Sequence, residues 1–389
     1  MKFTSGKYTT GNLLQTIQEI ELALTKHWLT NSYAVTDTVL QDDFKKRIED
    51  ASMGRNTVRF DSNGIPVILC RFLPDEIGTS EYLDTGTGVH PAFITDGSVK
   101  PFEYAKYLCG RVGSTNYPTS LPGLEPAHTI DFDDSITLCV DGDSGFHLAT
   151  NAEWALVSLL SMAKGFQARG NTGYGRAYDA TDEWGEGIHS HGDRYGRTLT
   201  GSGTLFWRHD GSPFGIADMV GNVREWVGGL RIGGPGTIPD GEIHIIPNNN
   251  AGGAERTLAA HADNSLEWKA IMPNGDLEDP ETAGTLKYIH DGAVKVGDTA
   301  QGLSGTTSSR TFSAVEAAEG VDIPQVLKDL LLFPLGNAPQ GTAYVRADER
   351  LPFRGGHWTN GSDAGLGYLT LNNTRTYTGN SIGLRRAFV

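Results

Sequence analysis

His189, His191 and Asp193 place two imidazoles and a carboxylate at alternate positions, a pattern that could bind zinc. Arg194 stands where a further histidine would extend the run. The segment also lies in a Gly-rich stretch without a preceding apolar strand, so a hydrogen-bonded surface loop is expected and a metal is not. Cys70, Cys109 and Cys139 are odd in number and widely spaced. They imply neither a disulfide framework nor a zinc pattern, and buried thiols are expected.

The C-terminal stretch has a different character. Gly355, Gly356, Trp358, Asn360, Gly361, Ala364, Gly365, Leu369, Leu371, Ile382 and Gly383 read as framework. Between them stand His357, Thr359, Ser362, Asp363, Tyr368, Thr370, Asn372, Thr374, Arg375, Thr376, Tyr377, Thr378, Gly379 and Asn380. Chemistry needs one acid, base or nucleophile at each place, and these residues share no such theme. They suit a binding surface, where Tyr gives rigid amphipathic area and Ser, Asn and Gly give adaptable hydrogen bonding. The leucines of Tyr368–Asn372 alternate, which predicts a strand with Leu369 and Leu371 facing the core and Tyr368, Thr370 and Asn372 facing out. A polar hairpin without function is the alternative, since polar outward faces are the norm in antiparallel sheets. Tyr368, Tyr377 and Arg375 are the expected binding anchors.

These positions need elements to hold them. Leu13, Ile17, Ile20 and Leu24 recur at spacings of four, three and four, predicting a helix that packs on the main domain or forms a short coiled-coil seam. Leu40, Phe44 and Ile48 predict a second helix ending near Gly54, and a hairpin is expected around Asn63-Gly64. Thr150 and Glu153 form a capping box for a helix over 151–164, which Gly165 ends. Residues 165–215 read as long surface loops, and 233–345 as a loop-rich insertion with one helix near Pro324 to Leu332. The division expected is a helical segment over 1–56, for tethering, packing or oligomerisation, and a domain over 57–389 with its binding region at 353–385.

Composition sets outer limits. The chain has 389 residues, enough for one large decorated domain or two. Its 50 glycines predict much turn and loop, and a formal net charge of −15 argues against a general nucleic-acid partner. No apolar run approaches the ~18 residues of a membrane span. Met1 to Lys7 lack the apolar core of a signal peptide, so secretion by the usual route is not expected.

Asp218-Met-Val-Gly-Asn-Val-Arg-Glu-Trp226, with Phe214-Gly215 before it, Phe353 to Trp358 later and Ile382 to Arg385 at the end, resembles the formylglycine-generating-enzyme branch of the C-type lectin fold. Gly145 to Trp154 is similar to that family's helix entry, and the resemblance covers roughly residues 60–389. It implies an α+β, loop-rich domain of this subclass. Within the branch, the C-terminal block is similar to the variable proteins of diversity-generating retroelements. Their Arg-Gly-Gly-x-Trp-x-Asn-Gly, Ala-Gly, Leu-x-Leu and Ile-Gly-Phe-Arg pattern is matched by Arg354 to Gly361, Ala364-Gly365, Leu369 to Leu371 and Ile382 to Arg385, with Leu384 for the usual Phe. In that family template adenines are mutagenised, and changes at the adenines of AAC codons yield His, Thr, Asp, Tyr, Ser and Gly, the types found here.

The resemblance implies a non-catalytic protein that binds a macromolecular ligand, a protein or a glycan on a host or target surface. It also implies a virion or prophage-encoded surface component without nucleic-acid binding or membrane insertion, able to form homo-oligomers. Two alternatives stay open: a formylglycine-generating oxidase with an atypical site, and a calcium-dependent glycan-binding lectin. The oxidase resembles a copper enzyme with a cysteine pair late in the domain, and no cysteine follows Cys139. The enzyme branch's structural calcium site would fall on Asp218 and Glu225 with carbonyls of Gly221 and Val223. A buried turn in which Glu225 accepts backbone N–H bonds is the preferred reading, and no cofactor is expected.

Overall fold

The computed structural model describes residues 10–77, 88–233, 241–336 and 338–389, with side chains from residue 15 onward apart from those of Glu76 and Ile77. Leu13 of the expected seam, Met1 to Lys7 and parts of the 1–56 and 233–345 segments therefore lie outside the described residues or side chains. The described residues form a mixed α+β, loop-rich structure with no closed barrel among them. No helix among them is long and apolar enough to cross a membrane.

The first helix, Thr10–Thr30, buries Ile17, Ile20, Leu24 and Trp28 on one face. Ile20, Leu24 and Trp28 share a core with Phe44 and Ile48 of the second helix and with Tyr107, Leu121 and Leu124 of the main body. Glu21, on the same face, is buried and accepts from Lys106 Nζ at 2.8 Å and Tyr107 OH at 2.7 Å. A charge without water needs such partners, so this face is committed to the body of the molecule. The second helix, Thr38–Ser52, starts on Asp37, whose carboxylate accepts from the Val39 and Leu40 amides.

The hairpin follows: Asn56–Phe60 pairs antiparallel with Pro66–Phe72, and Asp61 Oδ1 accepts from the Asn63 and Ile65 amides to close the turn. Phe102–Ala105, Arg386–Phe388 and Phe146–Leu148 complete a five-stranded sheet, with the C-terminal strand between the other two. The helix Asn151–Ala163 has the capping box of Thr150 and Glu153, and Gly165 follows it at φ +67°. Its Trp154 is fully buried and donates from Nε1 to Leu366 O at 3.1 Å.

A six-stranded sheet carries the C-terminal block. Its order is Ser308–Thr311, Thr342–Val345, Gly365–Asn373, Leu351–Gly355, Arg224–Trp226 and Ile382–Leu384. The first two strands come from the 233–345 stretch, which thus builds part of the central sheet as well as loops. Strands of three or four residues carry too little alternation to register as periodic, so this contribution was invisible in the sequence. The helix expected from Pro324 to Leu332 is shorter, Gln325–Asp329, with Pro324 as its N-cap.

Candidate ligand-binding face

The alternation of the strand Gly365–Asn373 is real, but its consequence differs from expectation. Leu369 and Leu371 enter the large core with Trp154 and Val345. Tyr368 faces the other way, into a second core with Trp226, Leu351, Phe353, Phe132 and Ile382. Tyr368 is 2% exposed and Thr370 1% exposed, so neither can meet a ligand. Both sides of the sheet are covered because the helix Phe132–Cys139 and Tyr344 of the neighbouring strand pack over the side expected to face solvent. Asn372, at the strand end, is only half-buried and donates to Thr307 Oγ1 at 3.3 Å.

The remaining positions fall on two turns. Thr359 and Ser362 are exposed on the first, beside half-buried His357 and Asp363. Asn360 Oδ1 accepts the His357 amide at 2.8 Å, and the Gly361 amide donates to Thr172 O at 3.0 Å. Asp363 accepts from Thr342 Oγ1 and Tyr344 OH, both at 2.9 Å, which binds the turn to the neighbouring strand. Gly355 and Gly356, at φ +82° and +83°, lead into it, and a Cβ at Gly355 would meet Met219 O at 2.4 Å. Burial, with the Arg224 guanidinium nearby, holds the His357 imidazole down at about 3, so it stays neutral through the physiological range.

The second turn exposes Thr374, Thr376, Tyr377, Thr378 and Asn380, with Gly379 half-buried. Tyr377 is 43% exposed, with its ring 6.4 Å from that of Phe353. Arg375 departs from its expected role. It bonds Asp133 at 2.8 Å, Asp263 at 2.7 Å, Glu349 at 3.0 Å and His261 O at 2.9 Å. A guanidinium surrounded by three carboxylates is a bolt for the turn, not a free anchor. Arg197 was missed in the sequence although it joins the two turns: it donates to Asn380 O at 2.8 Å and lies 5.7 Å over the Trp358 ring. Its partner Glu125, at 2.6 Å, is far away in the chain, and no local pattern marks such a residue.

The framework motifs are structural throughout. Arg385, fully buried, grips Glu225 at 2.8 and 2.9 Å and donates to Ala105 O and Ala217 O. Both Glu225 oxygens are therefore taken by a cation, and Glu225 is held by this guanidinium where backbone N–H donors had been expected. Asp218 Oδ2 accepts from the Gly201 amide at 2.6 Å, and burial pushes its carboxyl up to about 6. Arg385 thus balances the charge of Glu225, while the second Asp218 oxygen, Oδ1, is buried without a hydrogen-bond partner. His189 and His191 sit on a small hairpin with ring centroids 6.5 Å apart, and no cluster of three or more metal-binding side chains occurs among the described residues.

No family model and no curated protein matches the sequence. Among solved structures, the Treponema denticola variable protein 1 has 11% identity and a TM-score of 0.32, over 86% of this chain and 98% of that one. The Major Tropism Determinant U1 variant has 13% identity and a TM-score of 0.28, over 76% of this chain and 51% of that one. The P3c variant has 13% identity and a TM-score of 0.27, over 78% and 53%. The chain thus spans about half the length of the tropism determinants it matches. At these values the likeness by itself establishes neither a ligand nor an activity. By name, the solved structures similar to this chain are thus two tropism determinant variants and a variable protein.

Proposed function

We propose that this chain is a ligand-binding display protein whose two C-terminal turns are diversified by a retroelement, on a C-type lectin fold of the formylglycine-generating-enzyme subclass. The observation that carries this reading is a division of labour within one short block. Trp358, Leu369, Leu371 and Ile382 are buried, while Thr359, Ser362, Thr374, Thr376, Tyr377, Thr378 and Asn380 are exposed between them. Substitution at exposed positions costs within about half a kcal/mol each, so the turns can change while the fold stands. The ligand is a macromolecule on a host or target surface, and the protein serves as a virion or prophage-encoded recognition component. Catalysis has no part in the reading: Cys70, Cys109 and Cys139 are all buried, and burial pushes the Cys70 thiol up to about 12.

The test is to sequence the encoding locus from several isolates. A nearby near-copy of the codons for residues 354–385, differing at adenines and lying beside a reverse transcriptase, is expected, with variation confined to the exposed turn positions. An invariant tail without a template copy would overturn the proposal.

A further inference from the structure

The loop over residues 171–198 lies against the first display turn and carries large apolar side chains in the open. Trp184 is 51% exposed and Tyr195 53%, with Tyr178 and Ile188 also exposed. These rings are not loose. Tyr195 lies so close over Gly187 that a Cβ there would meet its ring at 2.2 Å, and Gly175 packs between the Tyr195 and Trp184 side chains. Glu183, one residue before Trp184, is buried and accepts from Trp207 Nε1 at 3.1 Å. Arg176 stacks 5.2 Å over the Trp184 ring.

The backbone beneath is equally fixed. Asn171 accepts the Gly175 amide and donates to Gly196 O, both at 2.7 Å. Asn222, from the Asp218–Trp226 motif, bonds both the amide and the carbonyl of Thr198. Two buried asparagines thus fasten the backbone of the loop that exposes these rings. Trp and Tyr side chains held half in water by a fastened loop offer an interface anchors whose ordering cost is already met.

The loop is also continuous with the display turns. The Tyr174 amide donates to Trp358 O at 2.9 Å, and the His189 ring lies 5.9 Å from that of Trp358. Gln340 Nε2 donates to Tyr178 OH at 2.8 Å and to Ser362 O at 3.4 Å. We infer that Trp184 and Tyr195, with Tyr178 and Arg176, are a constant half of the binding face, an aromatic platform used with every set of variable residues, and that the ligand is a protein surface. Trp, Tyr and Arg are the side chains that dominate the energetics of protein–protein contacts. The inference rests on the display reading: the exposed turn residues would choose the partner, and the platform would supply affinity common to all partners.

The experiment randomises Thr359, Ser362, Thr374, Thr376, Tyr377, Thr378 and Asn380 in the full chain and selects for binding to immobilised lysozyme as a test protein. Trp184→Ala and Tyr195→Ala are then introduced, singly and together, into each selected binder. The double change is expected to weaken most binders at least about tenfold while leaving Tm nearly unchanged, as truncation of interface anchors does. Trp184→Phe with Tyr195→Phe should retain most of the affinity, which separates loss of a ring from loss of fold. Binders whose affinity is indifferent to the double change would overturn the platform and leave the display reading standing. A library that yields no binder at all would overturn the display reading, and the platform with it.

Discussion

Tyr368 and Tyr377 show how little the residue type alone decides. Both are tyrosines in the same block, yet one is 2% exposed within a core of Trp226 and Phe353, and the other is 43% exposed on a turn. Tyr368→Ala should therefore behave as a core truncation and cost about 3–5 kcal/mol, seen as a large fall in Tm. Tyr377→Ala should leave Tm within a degree or two and change ligand binding instead. Equal Tm for the two variants would contradict the burial described here. The outward direction of Tyr368 was legible, because alternation with Leu369 and Leu371 fixes which side each residue takes. Its cover was not legible, because Phe132 and Tyr344 reach it from distant parts of the chain.

At the scale of elements, local chemistry was the most readable. The capping box of Thr150 and Glu153 needs only four consecutive residues, and the helix begins where they place it. The three-residue strands Arg224–Trp226 and Ile382–Leu384 are set by partners far away and give no periodic signal. The turn over 374–380 is held by the Thr129 and Phe132 amides, which donate to Gly379 O and Arg375 O, by Arg197 on Asn380 O, and by Arg375, which ties it to Asp133, Asp263 and Glu349. Arg375→Ala should remove the cation from Asp133 and Asp263 while Arg231 still bonds Glu349 at 3.3 Å, and cost about 2 kcal/mol, with the deficit shrinking in high salt. A salt-insensitive loss in thermal melts would mean that the residue acts by packing on Phe132 instead.

At the scale of the whole molecule, acid should be a sensitive probe. His90, His209 and His261 are buried, and burial holds each imidazole down at about 4. Their unfolded values lie near 6.5, so the folded state keeps them neutral while the unfolded state takes up protons first. The stability they contribute is complete above about 6.5 and is lost as pH falls toward 4. Thermal melts at successive pH values should show Tm falling through that window, and His90→Gln should fall less steeply than the native chain. A flat profile between pH 7 and 4 would show that these imidazoles are open to water.

The five-stranded sheet sets a condition on any change made in residues 354–385. The strand Arg386–Phe388 comes after both C-terminal turns and lies between Phe102–Ala105 and Phe146–Leu148, while Arg385 beside it closes on Glu225. The five-stranded sheet is therefore completed by residues that follow both turns in the chain. A stop codon or frame error anywhere in residues 354–385 would remove an inner strand and strand the buried Glu225 without its cation. Under the proposed display function, copies defective there would fail to fold, so the architecture itself would proofread the variants.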